Sequence, residues 1–167
     1  MKRIVTLGIV LALMAALVIP GAVIANGAPP TTTVTGNIVE AELTVAAPSA
    51  IAFGNFVYGN NTQQSATNGT VTVTPGSRNT PNVPWLVTAK DEKVTDPGYM
   101  TSGGNKLFNK LQISKDGSTY PDAAPTGVTY SGNGNGVLPF WAKQNVVNSD
   151  PVGNYTITIT FTGELDW

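Results

Sequence analysis

"NYTITITFTG", residues 154–163, is the stretch on which the reading of this chain turns. Tyr155, Ile157, Ile159 and Phe161 alternate with Thr156, Thr158, Thr160 and Thr162. A period of two gives a strand one apolar face and one hydroxylated face. Such a strand needs a sheet partner and a core. Working outward, comparable runs occur in "TVTGNIVEAELTV" (33–45), "AIAFGNFV" (50–57), "GTVTVTP" (69–75), "WLVTAK" (85–90), "KLQIS" (110–114), "GVTYS" (127–131) and "VLPFWAK" (137–143). Turn-rich clusters separate them: "YGNNTQQSATNG", "PGSRNTPNVP", "TSGGN" and "SGNGNG". Helical periodicity is confined to a single turn at most, at 109–113.

About eight short strands with glycine-rich connections predict an all-β fold, an antiparallel immunoglobulin-like β-sandwich of about seven to nine strands. A barrel is the competing architecture. Asp116-Gly117 predicts a two-residue hairpin turn, because Asp-Gly supplies the positive φ angles that turn requires. The strand parities predict a core of Leu43, Val45, Ile51, Phe53, Val71, Val73, Trp85, Val87, Leu111, Ile113, Leu138, Phe140, Ile157, Ile159 and Phe161. On that reading Ile159→Asp places a charge in the interior and abolishes folding.

The front of the chain has a different grammar. Lys2 and Arg3 precede a charge-free apolar run, broken by Pro20-Gly21 and followed by small residues at Val23 and Ala25. That order predicts a signal peptide over 1–25, cleaved near Asn26, and hence a secreted, extracellular or cell-surface protein. A retained anchor is the alternative, since the uncharged run is just long enough to span a bilayer. Residues 26–32 read as a Pro- and Thr-rich linker and 33–167 as the β-domain. After residue 25, seven basic residues face ten acidic ones, a net charge of −3. Nucleic acid, which demands a basic patch, is not an expected partner. No membrane span is expected after cleavage.

The chain has no histidine and no cysteine. Ser-His and Cys-His nucleophile pairs, His-ligated metals and disulfides are therefore excluded. Paired carboxylates remain conceivable, drawn from Asp91, Glu92, Asp96, Asp116, Asp122, Asp150, Glu164 and Asp166. Most of them sit beside Gly, Pro or Lys in predicted turns, where solvated acids are ordinary. The expectation is a protein that is not an enzyme and carries no cofactor. Calcium is the metal worth weighing, because "KDEKVTDPG" clusters Asp91, Glu92 and Asp96. Lys90 and Lys93 lie among those acids and oppose a cation.

Aromatic residues near turns, Trp141, Tyr99, Tyr120, Tyr130 and Tyr58, together with Trp85, are candidates for contact with a glycan. The alternative for both tryptophans is burial in the core. Asn60, Asn68 and Asn154 each match the N-glycosylation acceptor pattern.

The front run "VTGNIVEAELTVAAPSAIAFGNF", the "WLVTAKD" strand and the closing "DPVGNYTITITFTG" resemble secreted prokaryotic surface domains of the WxL class. A similar layout occurs in fibre-forming surface subunits. The resemblance implies non-covalent attachment to a cell-wall or envelope glycan, with Trp85 in the first Trp motif and Phe161 where the second motif carries a Trp. Trp85, from that resemblance, joins Trp141, Tyr99 and Tyr120, from the turn aromatics, as the candidate contacts for glycan or wall.

The first strand raises a separate possibility. Residues 31–45, fully extended at about 3.3 Å per residue, would span roughly 50 Å, more than a sandwich strand uses. Its apolar phase also changes midway. Val34 and Ile38 share one phase, whereas Val39, Ala41, Leu43 and Val45 share the other, with Gly36 placed to permit a bulge. The strand either splits between two sheets of its own molecule or releases 31–38, with Val34, Ile38 and Val39 near its end, to add to a sheet edge of another copy. Association with copies of itself by strand addition is thus a second partner reading.

Overall fold

The computed structural model describes residues 34–77 and 82–166. The predicted signal peptide, the predicted linker and the first three residues of the predicted arm lie outside them. A compact unit, Ile38–Trp167, carries every strand.

Strand β3 (Gly69–Thr74) shows why the sheet forms. Its sequence GTVTVT buries Val71 and Val73 and exposes every threonine. β3 pairs antiparallel with β1 (Glu42–Ala46) on one side and β9 (Gly136–Leu138) on the other. A second three-stranded sheet sets β10 (Trp141–Val146) between β2 (Gly59–Gln64) and β7 (Gln112–Ser114). These two sheets continue one another. Gln64 pairs with Trp141 and Gly69 with Leu138, and the Ser65 amide donates to the Phe140 carbonyl between them at 2.9 Å. Residues 65–68 and 139–140 form an uneven bulge in one long ribbon, which bends the layer.

The opposite layer has β4 (Pro84–Lys90) at its centre, flanked by β11 (Thr160–Leu165) and β8 (Val128–Asn133). β4 alternates strictly, with Trp85, Val87 and Ala89 inward. A short hairpin, β5 (Thr101–Ser102) with β6 (Asn105–Lys106), completes the elements. Among the described residues there are eleven strands, all antiparallel where paired, and no helix. The two layers share one core, where Val71, Leu138 and Ile113 meet Trp85, Val87 and Tyr130. The fold is the all-β antiparallel architecture predicted, with more and shorter strands than seven to nine.

Several local expectations are corrected. The run 33–45 is a strand only from Glu42: Val34 to Ile38 join no sheet, and Val39 meets only Ser77, whose amide donates to the Val39 carbonyl at 2.7 Å and whose hydroxyl accepts from the Val39 amide at 3.0 Å. Residues 50–57 and 154–159 carry strand patterns yet join no sheet, apart from an isolated bridge between Thr156 and Thr101. The predicted strand 137–143 breaks at Pro139, which lacks the amide a central ladder needs. β2, GNNTQQ, lay inside a predicted turn cluster because it has no apolar residue. The β10 ladder holds it, and Asn61 braces its start by accepting from the Val57 amide at 2.9 Å.

Asp116-Gly117 is not a two-residue hairpin. The chain returns only at Asp122, bridged to Gln112, and the Asp116 carboxylate organises the longer loop by accepting from the Ser118 amide at 2.8 Å and the Thr119 amide at 3.1 Å. Those backbone donors, joined by the Ser118 and Ser114 side chains, hold the Asp116 carboxyl well below the usual carboxylate range.

The predicted core is correct in its centre and looser at one edge. Val71, Val73, Trp85, Val87, Leu111, Ile113, Leu138 and Phe140 are buried, whereas Leu43, Val45, Ile51, Phe53, Ile157, Ile159 and Phe161 are only half-buried against them. Ile159→Asp therefore strikes a half-buried position packed against the core and not the interior that alternation predicted, where the charge keeps access to solvent.

Candidate functional site

The half-buried residues are not scattered. Ile51 and Phe53 come from the segment after β1, and Tyr155, Ile157, Ile159 and Phe161 from the segment leading into β11. Between these two walls lies a trough, made of a largely apolar lobe of about 370 Å³ and, beside it, a second lobe of about 600 Å³ whose lining also includes the polar residues Asn55, Asp150 and Asn154. The floor of the first lobe is Met100, Leu111, Phe140 and Ala142, and that of the second includes Leu107 and Val146. The lobes share Ile51, Phe53, Met100 and Tyr155.

Both walls have the composition of strands and neither is paired as one. Alternation in 154–159 turns Tyr155, Ile157 and Ile159 towards the trough and leaves Thr156 and Thr158 exposed. No strand among the described residues pairs with 50–56 or 157–159. Backbone amides and carbonyls left without partners at an open edge form a template for another strand. The walls supply hydrogen-bonding groups and the floor supplies apolar surface. An extended segment with alternating apolar side chains satisfies both.

A segment of that kind is present in the chain. Val34 is 86% exposed, Ile38 60% and Val39 51%, a cluster of solvent-facing aliphatic side chains outside any strand.

The aromatic candidates divide. Trp85 is 3% exposed and its indole nitrogen donates to the Gly134 carbonyl, so this residue of the WxL-like motif is a core residue and not a contact for wall or glycan. Tyr130 is buried as well, donating its hydroxyl to the Pro139 carbonyl at 2.7 Å. Trp141 and Tyr120 are partly exposed on the outer side of the β2–β10–β7 sheet. Trp141 lies against Gly117, and the Lys143 ammonium stands 4.6 Å from the centre of the Tyr120 ring. Tyr99 sits elsewhere, with Lys106 and Lys110 at 4.8 and 5.7 Å from its ring centre. The structure thus keeps Trp141 near the Tyr120 loop, separates Tyr99 from them and withdraws Trp85.

Among the acidic candidates, Asp91, Glu92, Asp96, Asp116 and Asp150 are engaged by backbone amides or lysines. Buried Asp91 accepts from the amides of Lys93 at 3.1 Å and Gly98 at 2.7 Å. Glu92 pairs with Lys90 and Asp96 with Lys106, so the three acids weighed for calcium point to three different partners. Asp150 accepts from the amides of Phe108 at 2.6 Å and Val147 at 2.8 Å. Among the described residues no three His, Cys, Asp or Glu side chains gather as a metal site, and no helix is long and apolar enough to cross a membrane.

Sequence reasoning missed the trough because a strand pattern reports which side chains want burial and not whether a partner strand exists. The signal that points to it is a surplus: two strand-patterned segments, 50–57 and 154–159, that the pairing leaves out.

No family model matches this chain, and a search of curated proteins returns no match. Among solved structures the chain is similar to one described as "Chaperone-tip adhesin complex is vital for synergistic activation of CFA/I fimbriae biogenesis", at 15% identity and a TM-score of 0.42. That likeness covers 75% of this chain and 42% of the other, so this chain spans less than half of that neighbour's length.

Proposed function

We propose that this is a non-catalytic structural protein, exported and held at the cell surface, which works by accepting an extended polypeptide segment into the trough between 47–53 and 155–161. The observation that carries the reading is a pairing deficit: a trough whose walls include two strand-patterned stretches, 50–56 and 157–159, that join no sheet among the described residues. β-strand addition uses main-chain hydrogen bonds for affinity and alternate side-chain pockets for specificity, and the trough offers both. The charge order and apolar run of residues 1–25 support the exported location. Loop-bound acids and the absence of His and Cys support a role without catalysis. Assembly into surface fibres, or adhesion to an envelope component, is the biological form this role takes.

The carbohydrate-binding alternative now rests on Trp141 and Tyr120 on the outer sheet face, with Lys143 between them, since Trp85 is unavailable to a ligand. The non-covalent wall attachment implied by the WxL resemblance would have to use that same face.

The test is association measured with and without a change in the trough. Ile159→Asp leaves a folded protein that no longer associates in sedimentation or negative-stain images. A folded Ile159→Asp variant that associates as the unchanged chain does would refute the trough as the working site.

A further inference from the structure

The trough reading leaves open which segment enters and in what register. We propose that the occupant is residues 34–38 of a second copy, and that Gly36 sets the register: Val34 and Ile38 each fill one lobe while Gly36 crosses the junction between them. This inference rests on the trough being the working site.

In an extended segment residues two apart face the same side, so Val34, Gly36 and Ile38 share one face. Val34 and Ile38 are then about 13 Å apart at about 3.3 Å per residue. The trough has a matching division into two lobes. Phe53 and Tyr155, from opposite walls, contribute to both lobes and so mark their junction. A residue with no side chain suits that point. The opposite phase would turn Thr35 and Asn37 inward and leave the Ile51, Met100, Leu111 and Phe140 side chains of the first lobe without an aliphatic partner, with a polar group buried against them, which is costly.

Among the described residues nothing calls for glycine at position 36. A Cβ there would meet no atom within 4 Å, and its φ lies outside the left-handed region that favours glycine. The requirement for glycine is instead met in the complex. The donor segment and the acceptor trough are different parts of the chain, so one copy donating to the next makes a head-to-tail contact that repeats into an open filament.

The experiment compares the chain beginning at Asn26 with its Gly36→Leu variant, using thermal unfolding for the fold and negative-stain microscopy with light scattering for assembly. A second arm avoids any effect on folding: a labelled peptide of residues 31–41 and its Gly36→Leu form are titrated onto the Gly36→Leu chain. The expected result is unchanged unfolding, loss of filaments, and at least tenfold weaker binding of the Gly36→Leu peptide. Filaments from Gly36→Leu, or equal binding of both peptides, overturns the register. If the 31–41 peptide fails to bind while an unrelated alternating Val/Thr peptide does, the trough stands and the second copy as occupant is refuted. If neither binds, the trough reading itself falls.

Discussion

The indole nitrogen of Trp85 donates a 2.7 Å hydrogen bond to the carbonyl of Gly134. This contact lies at the corner where the chain leaves β8 in one layer and enters β9 in the other, so the ring pins the two layers together. Glycines make the space. A Cβ at Gly132 would stand 2.5 Å from the Trp85 ring, and one at Gly136 2.4 Å. Overpacking of that kind costs about 1–3 kcal/mol. Gly136→Ala is therefore expected to lower the unfolding midpoint clearly, whereas Gly104→Ala, where a Cβ meets nothing within 4 Å, should leave it within experimental error. Equal midpoints for the two would contradict the packing of Trp85.

Two charge insertions separate the closed core from the open trough. Val71 is 1% exposed, so Val71→Asp buries an unpaired charge and should unfold the domain. Ile159 is half-buried on the trough wall, so Ile159→Asp should stay folded by circular dichroism while losing association. Unfolding of both would show that the trough wall is core.

The Asp116 loop gives a prediction in pH. Its carboxyl is held low chiefly by the Ser118 and Thr119 amides. A depressed carboxylate stabilises the fold above its unfolded value, about 3.9, and that contribution is lost as pH falls towards the folded value. At about pH 3, where a free Asp is mostly protonated, the Asp116 side chain should still read as ionised by NMR. Asp116→Asn should destabilise the protein near neutral pH and change the acid limb of its stability profile. A titration midpoint for Asp116 at the ordinary value would exclude this network.

The surface aromatics bear on the alternative function. Trp141→Ala with Tyr120→Ala removes both rings from the outer sheet face while sparing the trough. Pull-down on purified envelope glycan should be unaffected if the protein works by strand addition. Retention that disappears with these two rings would favour the carbohydrate-binding reading.

Export is checked by intact mass. Protein recovered from its native envelope should lack residues 1–25, since the apolar run, the Pro20-Gly21 break and Ala25 form a cleavable order. A mass that retains Met1 to Ala25 would mean an anchor.

Alternation alone determined that the described residues build an all-β fold. Val71 with Val73 and Trp85 with Val87 are inward in the structure as their spacing requires, because a strand's side chains must alternate whatever the strand pairs with. The missing chemistry of a chain without His or Cys was equally legible. Pairing was not, because hydrogen bonds of a ladder come from the backbone and leave no mark on side-chain identity. So the polar run GNNTQQ became an edge strand paired along its length with β10, while the more strand-like 154–159 was left almost unpaired beside the trough. Trp85 and Trp141 likewise sit in strands with similar surroundings in sequence. Only the tertiary structure decided that one faces the glycines between the layers and the other the outer surface, since burial depends on what lies across the sheet and not on what lies along the chain.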